Sequence, residues 1–186
     1  MQDSFWAHQV MRSIWSFYTM YKFGWTEALV GGSLAFVGII MVVGQSTSPR
    51  IVIPRLGEQR TALIGLAVGS AGYAGYAFAS QGWMMFAWLF TWLLGALVMP
   101  STQALMTHRV SADAQGELQG AVAGLHSLSS IIAPPLMTQM FRRFTAPGAA
   151  IHFPGAPFLL SSVLAAGALI LFWNTARSEA REDGAL

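Results

Sequence analysis

Apolar residues run along this chain in long blocks, separated by short polar or turn-rich stretches. A helix that crosses a bilayer needs about 20 mostly apolar residues. Five blocks come close to that length, and each is predicted to form a transmembrane helix. A polar, proline-rich loop, SPRIVIPRLGEQR, is predicted to close the first of them. The five predicted spans are residues 28–47, 61–79, 83–106, 116–141 and 158–173.

A sixth apolar segment, residues 4–21, contains His8, Gln9 and Arg12. An arginine in the middle of a span costs about 3 kcal/mol on insertion scales. We therefore interpret the segment as a truncated span, the back part of a longer helix. His8 and Arg12 share one helical face, which is typical of a substrate or proton path through a membrane. The alternative is an interfacial terminus in which both side chains lie among lipid headgroups.

The composition places the chain in a membrane. Hydrophobic residues make up 54% of it and charged residues only 10%, against roughly 25% charged in soluble domains. A soluble domain of 186 residues with this composition would expose large apolar patches, so a buried-core helical domain is the weaker interpretation. The net charge of +2 comes from few charges, without the basic stripe that indicates a nucleic-acid partner. The lack of cysteine excludes disulfides and cysteine-ligated metals.

Basic residues in short loops predict the orientation, because cytoplasmic loops carry an excess of Lys and Arg. If the first segment starts in the cytoplasm, six such residues fall on the cytoplasmic side and three on the other. Both termini are therefore predicted to be cytoplasmic. Residues 1–175 are predicted to form the transmembrane bundle, and residues 176–186 a disordered cytoplasmic tail. The six are Arg50, Arg55, Arg60, Arg109, Arg177 and Arg181, and the three are Lys22, Arg142 and Arg143.

Three glycines at a spacing of four open the fourth span: Gly116, Gly120 and Gly124. Such a glycine ridge lets a neighbouring helix approach closely. Pro134 and Pro135 follow in the second half of the span and release backbone carbonyls. Free carbonyls are tolerated in a membrane only where protein or a water-filled cavity meets them. The span is therefore predicted to pack closely on one face and to border a cavity.

A polar stripe lies about a quarter-turn from that ridge, because Gln119, His126 and Ser130 line up at about 100° per residue. Gln103, one turn after Pro100 in the third span, is a further candidate for the same cavity. We predict that these side chains border a substrate pathway. The alternative for the serine is a bond to its own i−4 carbonyl, which is common in membrane helices.

Catalytic motifs are absent from the sequence: it has no Walker-type phosphate loop, no HExxH, no nucleophile elbow and no paired acids within a span. We predict neither an enzyme nor a cofactor. Transport would have to draw on an ion gradient or a substrate gradient.

The fourth span begins with QGELQGAVAGLHSLSSIIAPPL, which resembles the start of the eleventh helix in the major facilitator superfamily, in its tetracycline-type drug/proton antiporter branch. Three more stretches resemble that family in the same order along the chain. They are GWTEALVGGSLAFVGI for the join of the seventh and eighth helices, MPSTQALMTHRVSADAQG for the tenth helix and its loop, and HFPGAPFLLSSVLAAGAL for the start of the twelfth.

This resemblance implies an all-α membrane fold, the C-terminal six-helix half of a twelve-helix transporter that works by alternating access. Residues 4–21 would then be a remnant of the seventh helix. The expected activity is proton-coupled efflux of a small amphipathic organic solute across the bacterial inner membrane. The expected partners are the lipid bilayer, the solute, protons, and either a missing N-terminal half or a second copy.

The chain departs from the family in two places. In the family, the loop before the ninth helix carries the pattern GxxxDRxGRR, which is a conformational element. This chain keeps Arg55 and Gly57 of that pattern but has Pro54 in place of the Asp. Family exporters carry an acid in the ninth helix where this chain has Gly69. His8 and His126 are the chemical substitutes, since imidazole titrates near neutral pH. These departures leave open a truncated or relict fragment that inserts and pairs without transporting.

Overall fold

The structure is a computed structural model that describes residues 14–108, 110–111 and 113–183. The regular elements within these ranges are all helices. They are α1 (14–23), α2 (Glu27–Leu56), α3 (Glu58–Phe78), α4 (Gly82–Leu89), α5 (Thr91–Gly95), α6 (Val98–His108), α7 (Gln115–Thr145) and α8 (Ala156–Asp183).

Among the described residues, five stretches of helix are long and apolar enough to cross a membrane, which confirms the predicted number of spans. Helix α1 is the described part of the sixth predicted segment, residues 4–21. Helix α8 continues to Asp183, so the predicted tail from residue 176 starts as an extension of this helix. The five spans are Glu27–Ser46, Glu58–Phe78, Gly82–His108, Gln115–Thr145 and Ala156–Ser178.

The prediction of a loop directly after the first span is wrong. Helix α2 continues through this stretch to Leu56 and ends at Gly57, whose φ of 78° lies in the region that favours glycine. The Gly57 N–H donates to the Ile53 carbonyl at 2.8 Å. Pro54 falls in the last turn of α2, and the apolar residues on both sides of it extend the helix. The chain then enters α3 directly.

The third span is broken into the three helices α4, α5 and α6. At Phe90 and again at Leu97 the backbone N–H bonds to a carbonyl three residues back, at 3.3 and 3.1 Å. These bonds are the 3₁₀ pattern, which tightens the helix locally. Pro100 lies beyond both breaks, in the first turn of α6, where backbone N–H groups lack intrahelical partners.

Helix α3 forms the centre of the bundle and packs against α8, α5 and α6. Glycines allow this approach: a Cβ atom added at Gly65 would lie 2.6 Å from Val98 Cγ2, and one at Gly72 would collide with the Thr91 side chain. Ser70 and Ser162 join α3 to α8, because each hydroxyl donates to the carbonyl of the other residue, at 3.0 and 2.9 Å. Close contact and paired hydrogen bonds are the forces that hold helices together in lipid.

An aromatic core fixes the end of the bundle at which α1 and α3 end. Trp15, Tyr18, Tyr76 and Phe158 are fully buried there, with ring centroids of Tyr18 and Phe158 4.8 Å apart. The Tyr18 hydroxyl donates to the Tyr76 carbonyl at 2.6 Å, and the Trp15 indole donates to Ser33 at 2.9 Å. The described part of α1 is therefore anchored to α2, α3 and α8.

Candidate functional site

The predicted polar stripe lies on the exposed side of α7. Gln119 and His126 are exposed and Ser130 is half-buried. The chain carries no formal charge from Leu118 to Phe141. His126 comes about 12 Å after the start of that run and about 22 Å before its end, at a rise of 1.5 Å per residue. The imidazole thus lies inside the membrane-spanning part of α7, in the half that is closer to the start of the helix.

Gln103 and Gln119 come together although they lie on different spans. The Gln103 side-chain amide donates to the Gln119 side-chain oxygen at 3.3 Å, which joins α6 to α7. Both residues are exposed. Each primary amide keeps further donor and acceptor capacity for another molecule. The pair extends the polar stripe from α7 to the neighbouring span.

Ser130 lies one helical turn after His126 and contacts it. The Ser130 hydroxyl donates to the His126 carbonyl at 2.9 Å, which is the i−4 bond that the sequence left as an alternative. The same oxygen lies 3.5 Å from the imidazole Nδ1. A serine oxygen that donates to a carbonyl still accepts hydrogen bonds. Ser130 is therefore placed to orient the His126 ring.

The glycine ridge of α7 is open in this chain. A Cβ atom added at Gly116, Gly120 or Gly124 would meet no other side chain within 4 Å among the described residues. The buried residues of α7 lie further on, at Ser129, Ala133 and Met137, near Pro134, and α7 continues as one helix through both prolines. The predicted close helix contact at the ridge stays a prediction.

Gly57 marks the junction of α2 and α3, and Arg55 lies in the last turn of α2. A side-chain contact that the sequence did not predict lies beside this junction. His108 Nε2 lies 3.5 Å from Glu58 Oε1 and connects the end of α6 to the start of α3. His108 follows the predicted third span, and a contact between residues fifty apart gives no periodic signal. His8 and Arg12 lie outside the described residues.

Metal chemistry finds no support in the described part of the chain, which has no cluster of three or more His, Asp or Glu side chains. The site is instead a set of neutral hydrogen-bonding groups and one imidazole on an apolar helix. Such a set can form hydrogen bonds with a polar or amphipathic molecule.

The sequence model of the Major Facilitator Superfamily matches residues 4–185. The chain belongs to this family. The tetracycline resistance protein of class G from Vibrio anguillarum is 39% identical over 133 residues, which cover 72% of this chain and 34% of that protein. The class C protein from Escherichia coli is 35% identical over 133 residues, with the same shares. The predicted tetracycline-type branch of the major facilitator superfamily is thus confirmed.

A further relative is the human Hippocampus abundant transcript-like protein 1, which is 28% identical over 155 residues, 76% of this chain and 31% of that protein. The aligned part spans about a third of the length of these curated relatives. No solved structure matches the chain significantly.

Proposed function

We propose that this chain forms one half of a transporter that exports a small amphipathic organic solute in exchange for protons. Membership of the major facilitator superfamily supports transport across a membrane rather than catalysis. The names of the bacterial relatives make tetracycline the first compound to test. The excess of arginine in the predicted cytoplasmic loops favours an inner-membrane protein with both termini in the cytoplasm.

The observation that carries this proposal is the open polar face formed by α6 and α7. The amide pair Gln103–Gln119, the imidazole of His126 and the glycine ridge all lie where this chain leaves them exposed. Polar groups inside a membrane span, such as the imidazole of His126, are unfavourable in contact with lipid. A second six-helix unit over this face would enclose them and create a cavity between two halves, the arrangement on which alternating access depends. The occupant that we propose is an N-terminal half, because the bacterial relatives are about three times as long as the aligned part.

His126 is the proposed proton carrier within the described spans, with His8 as a second candidate. The acidic residues Glu27, Glu58 and Glu117 lie in the first turns of their helices rather than near the middle. The imidazole of His126 is the side chain of the polar stripe that can carry a proton. Exchange of that proton between the two sides would couple export to the proton gradient.

The test is drug efflux by the chain co-expressed with the N-terminal half of the class G relative in drug-sensitive bacteria. Gln119→Ala and His126→Ala are compared with Gln45→Ala, an exposed glutamine on α2 that lies away from the stripe. We expect both stripe variants to accumulate more tetracycline while membrane levels of the protein stay equal, and the α2 variant to behave as wild type. Unchanged efflux in both stripe variants would show that the pathway lies elsewhere. An assembly that inserts but never lowers accumulation would favour the relict fragment.

A further inference from the structure

A small cavity lies beside the two breaks in the third span. It measures about 30 Å³ and is lined by residues of α3, α5, α6 and α8. None of the described residues that line it is charged, and most of its surface is apolar. Gly95, which lines it, is the middle residue of the 27-residue span Gly82–His108 and lies about 20 Å from either end. The cavity is thus near mid-membrane and separate from the polar stripe on α7.

The Tyr76 hydroxyl lines this cavity and lacks a hydrogen-bond partner among the described residues. The Tyr76 side chain is 0% exposed. Burial of a hydroxyl without a hydrogen bond is destabilising. The side chains of Thr91 and Trp92 are its hydrogen-bonding neighbours, but they lie outside bonding geometry. Polar groups held slightly too far apart are typically bridged by a water molecule.

Thr91 is able to take part in such a bridge. Its hydroxyl donates to the Trp88 carbonyl at 2.6 Å, which leaves the lone pairs of the oxygen to accept a bond. Thr91 follows the first break directly, at the start of α5. A polar partner at this point would bind where the helix changes from α to 3₁₀ geometry, and such stretches often mark a hinge.

Glycine creates the space in the cavity. A Cβ atom added at Gly69 or Gly95 would meet nothing within 4 Å, whereas one at Gly65 would collide with Val98. Gly65 and Gly69 are one turn apart on α3. The first of them therefore serves close packing, while the second leaves room for a ligand.

We propose that this cavity is a binding site for one water molecule, held between the hydroxyls of Tyr76 and Thr91. A buried water needs about 10–15 Å³ and two to four polar partners. The cavity meets both conditions but is far smaller than the roughly 300 Å³ of an organic-ligand pocket. The bound water satisfies Tyr76 and gives the broken span a polar contact inside the bundle. This inference stands apart from the proposed transport activity.

Thermal unfolding of the full chain in detergent tests the site, because the direction in which Tyr76→Phe shifts the melting temperature depends on whether a water is bound. Tyr76→Phe removes the hydroxyl but keeps the ring. With a bound water, we expect the melting temperature to fall by about 2–4 °C for each hydrogen bond lost. Tyr18→Phe calibrates this loss, because the Tyr18 hydroxyl donates to the Tyr76 carbonyl at 2.6 Å and accepts from Lys22 Nζ at 2.9 Å, so that two direct bonds are lost. A melting temperature that rises in Tyr76→Phe would overturn the proposal, since removal of an unsatisfied hydroxyl is stabilising.

Water-edited solid-state NMR of the tyrosine-labelled chain in bilayers detects the water directly. Only four tyrosines contribute signals. We expect the Tyr76 ring to receive magnetisation from water at short mixing times in spite of its burial. Gly69→Ala places a methyl group in the cavity and should abolish this transfer. The proposal fails if the wild-type Tyr76 ring receives none, or if the transfer persists unchanged in Gly69→Ala. This readout decides the question even where Tyr76→Phe does not fold.

Discussion

Gly155→Ala should destabilise the bundle, because the start of α8 lies directly on the backbone of α3. A Cβ atom added at Gly155 would collide with the Ala77 carbonyl oxygen and lie 2.9 Å from its carbon atoms C and Cα. Backbone atoms do not move aside as a side chain does. Relief of the collision must therefore shift the start of α8, and with it Phe158, which is fully buried against Tyr18 and Tyr76.

Overpacking of this kind costs about 1–3 kcal/mol. At about 2–4 °C per kcal/mol for a chain of this size, we expect the melting temperature to fall by about 2–12 °C. The assay is thermal unfolding in detergent, followed by circular dichroism. Gly167→Ala is the matched control on the same helix, because an added Cβ atom there meets nothing within 4 Å and alanine favours helix by about 1 kcal/mol. If Gly155→Ala melts at or above the temperature of Gly167→Ala, the contact between α3 and α8 is not as close as described.

Two further predictions concern single contacts. Ser70→Ala and Ser162→Ala should each lower the free energy of unfolding by about 0.6 kcal/mol. In a double-mutant cycle the two losses should be non-additive, because the hydroxyls share one paired contact. Strict additivity would contradict the pairing. Ser111→Ala should raise the pKa of Asp113 towards its ordinary value, because the Ser111 hydroxyl is the main cause of its lowered pKa. A carbon-13 NMR titration of the Asp113 carboxyl measures this shift, and an unchanged pKa would exclude the hydrogen bond.

The five spans could be predicted from the sequence because the length of an apolar run is set by the thickness of the bilayer. The exposed position of Gln119 and His126 follows from the same kind of regularity, since helical spacing puts them on one face. The contact of Gln119 with Gln103 could not be predicted in this way, because the spacing of residues on one helix does not specify how two helices are placed relative to each other.

The breaks in the third span could not be predicted, because their cause lies in another helix. Proline is the residue that would be expected to mark a break, yet Pro100 and Pro54 both lie within helices. The first break falls where Trp88 and Thr91 meet the glycine face of α3, at Gly75 and Gly72. Tertiary contact therefore determines where this span tightens. The cavity beside Tyr76 arises from the same contact and gives no signal in the sequence.

Helix α7 carries the polar stripe and is also the span that this chain covers least. Only 17% of the apolar window of α7 is buried within this chain, against 44% for α3. Lipid can cover the apolar residues of α7 but offers no hydrogen bonds to a polar side chain inside the span, such as that of His126. A second helical unit packed on the ridge of Gly116, Gly120 and Gly124 would bring backbone close to α7 and enclose the stripe a quarter-turn away. The span that would serve transport in the proposed assembly is therefore the least covered of the five spans in the described residues.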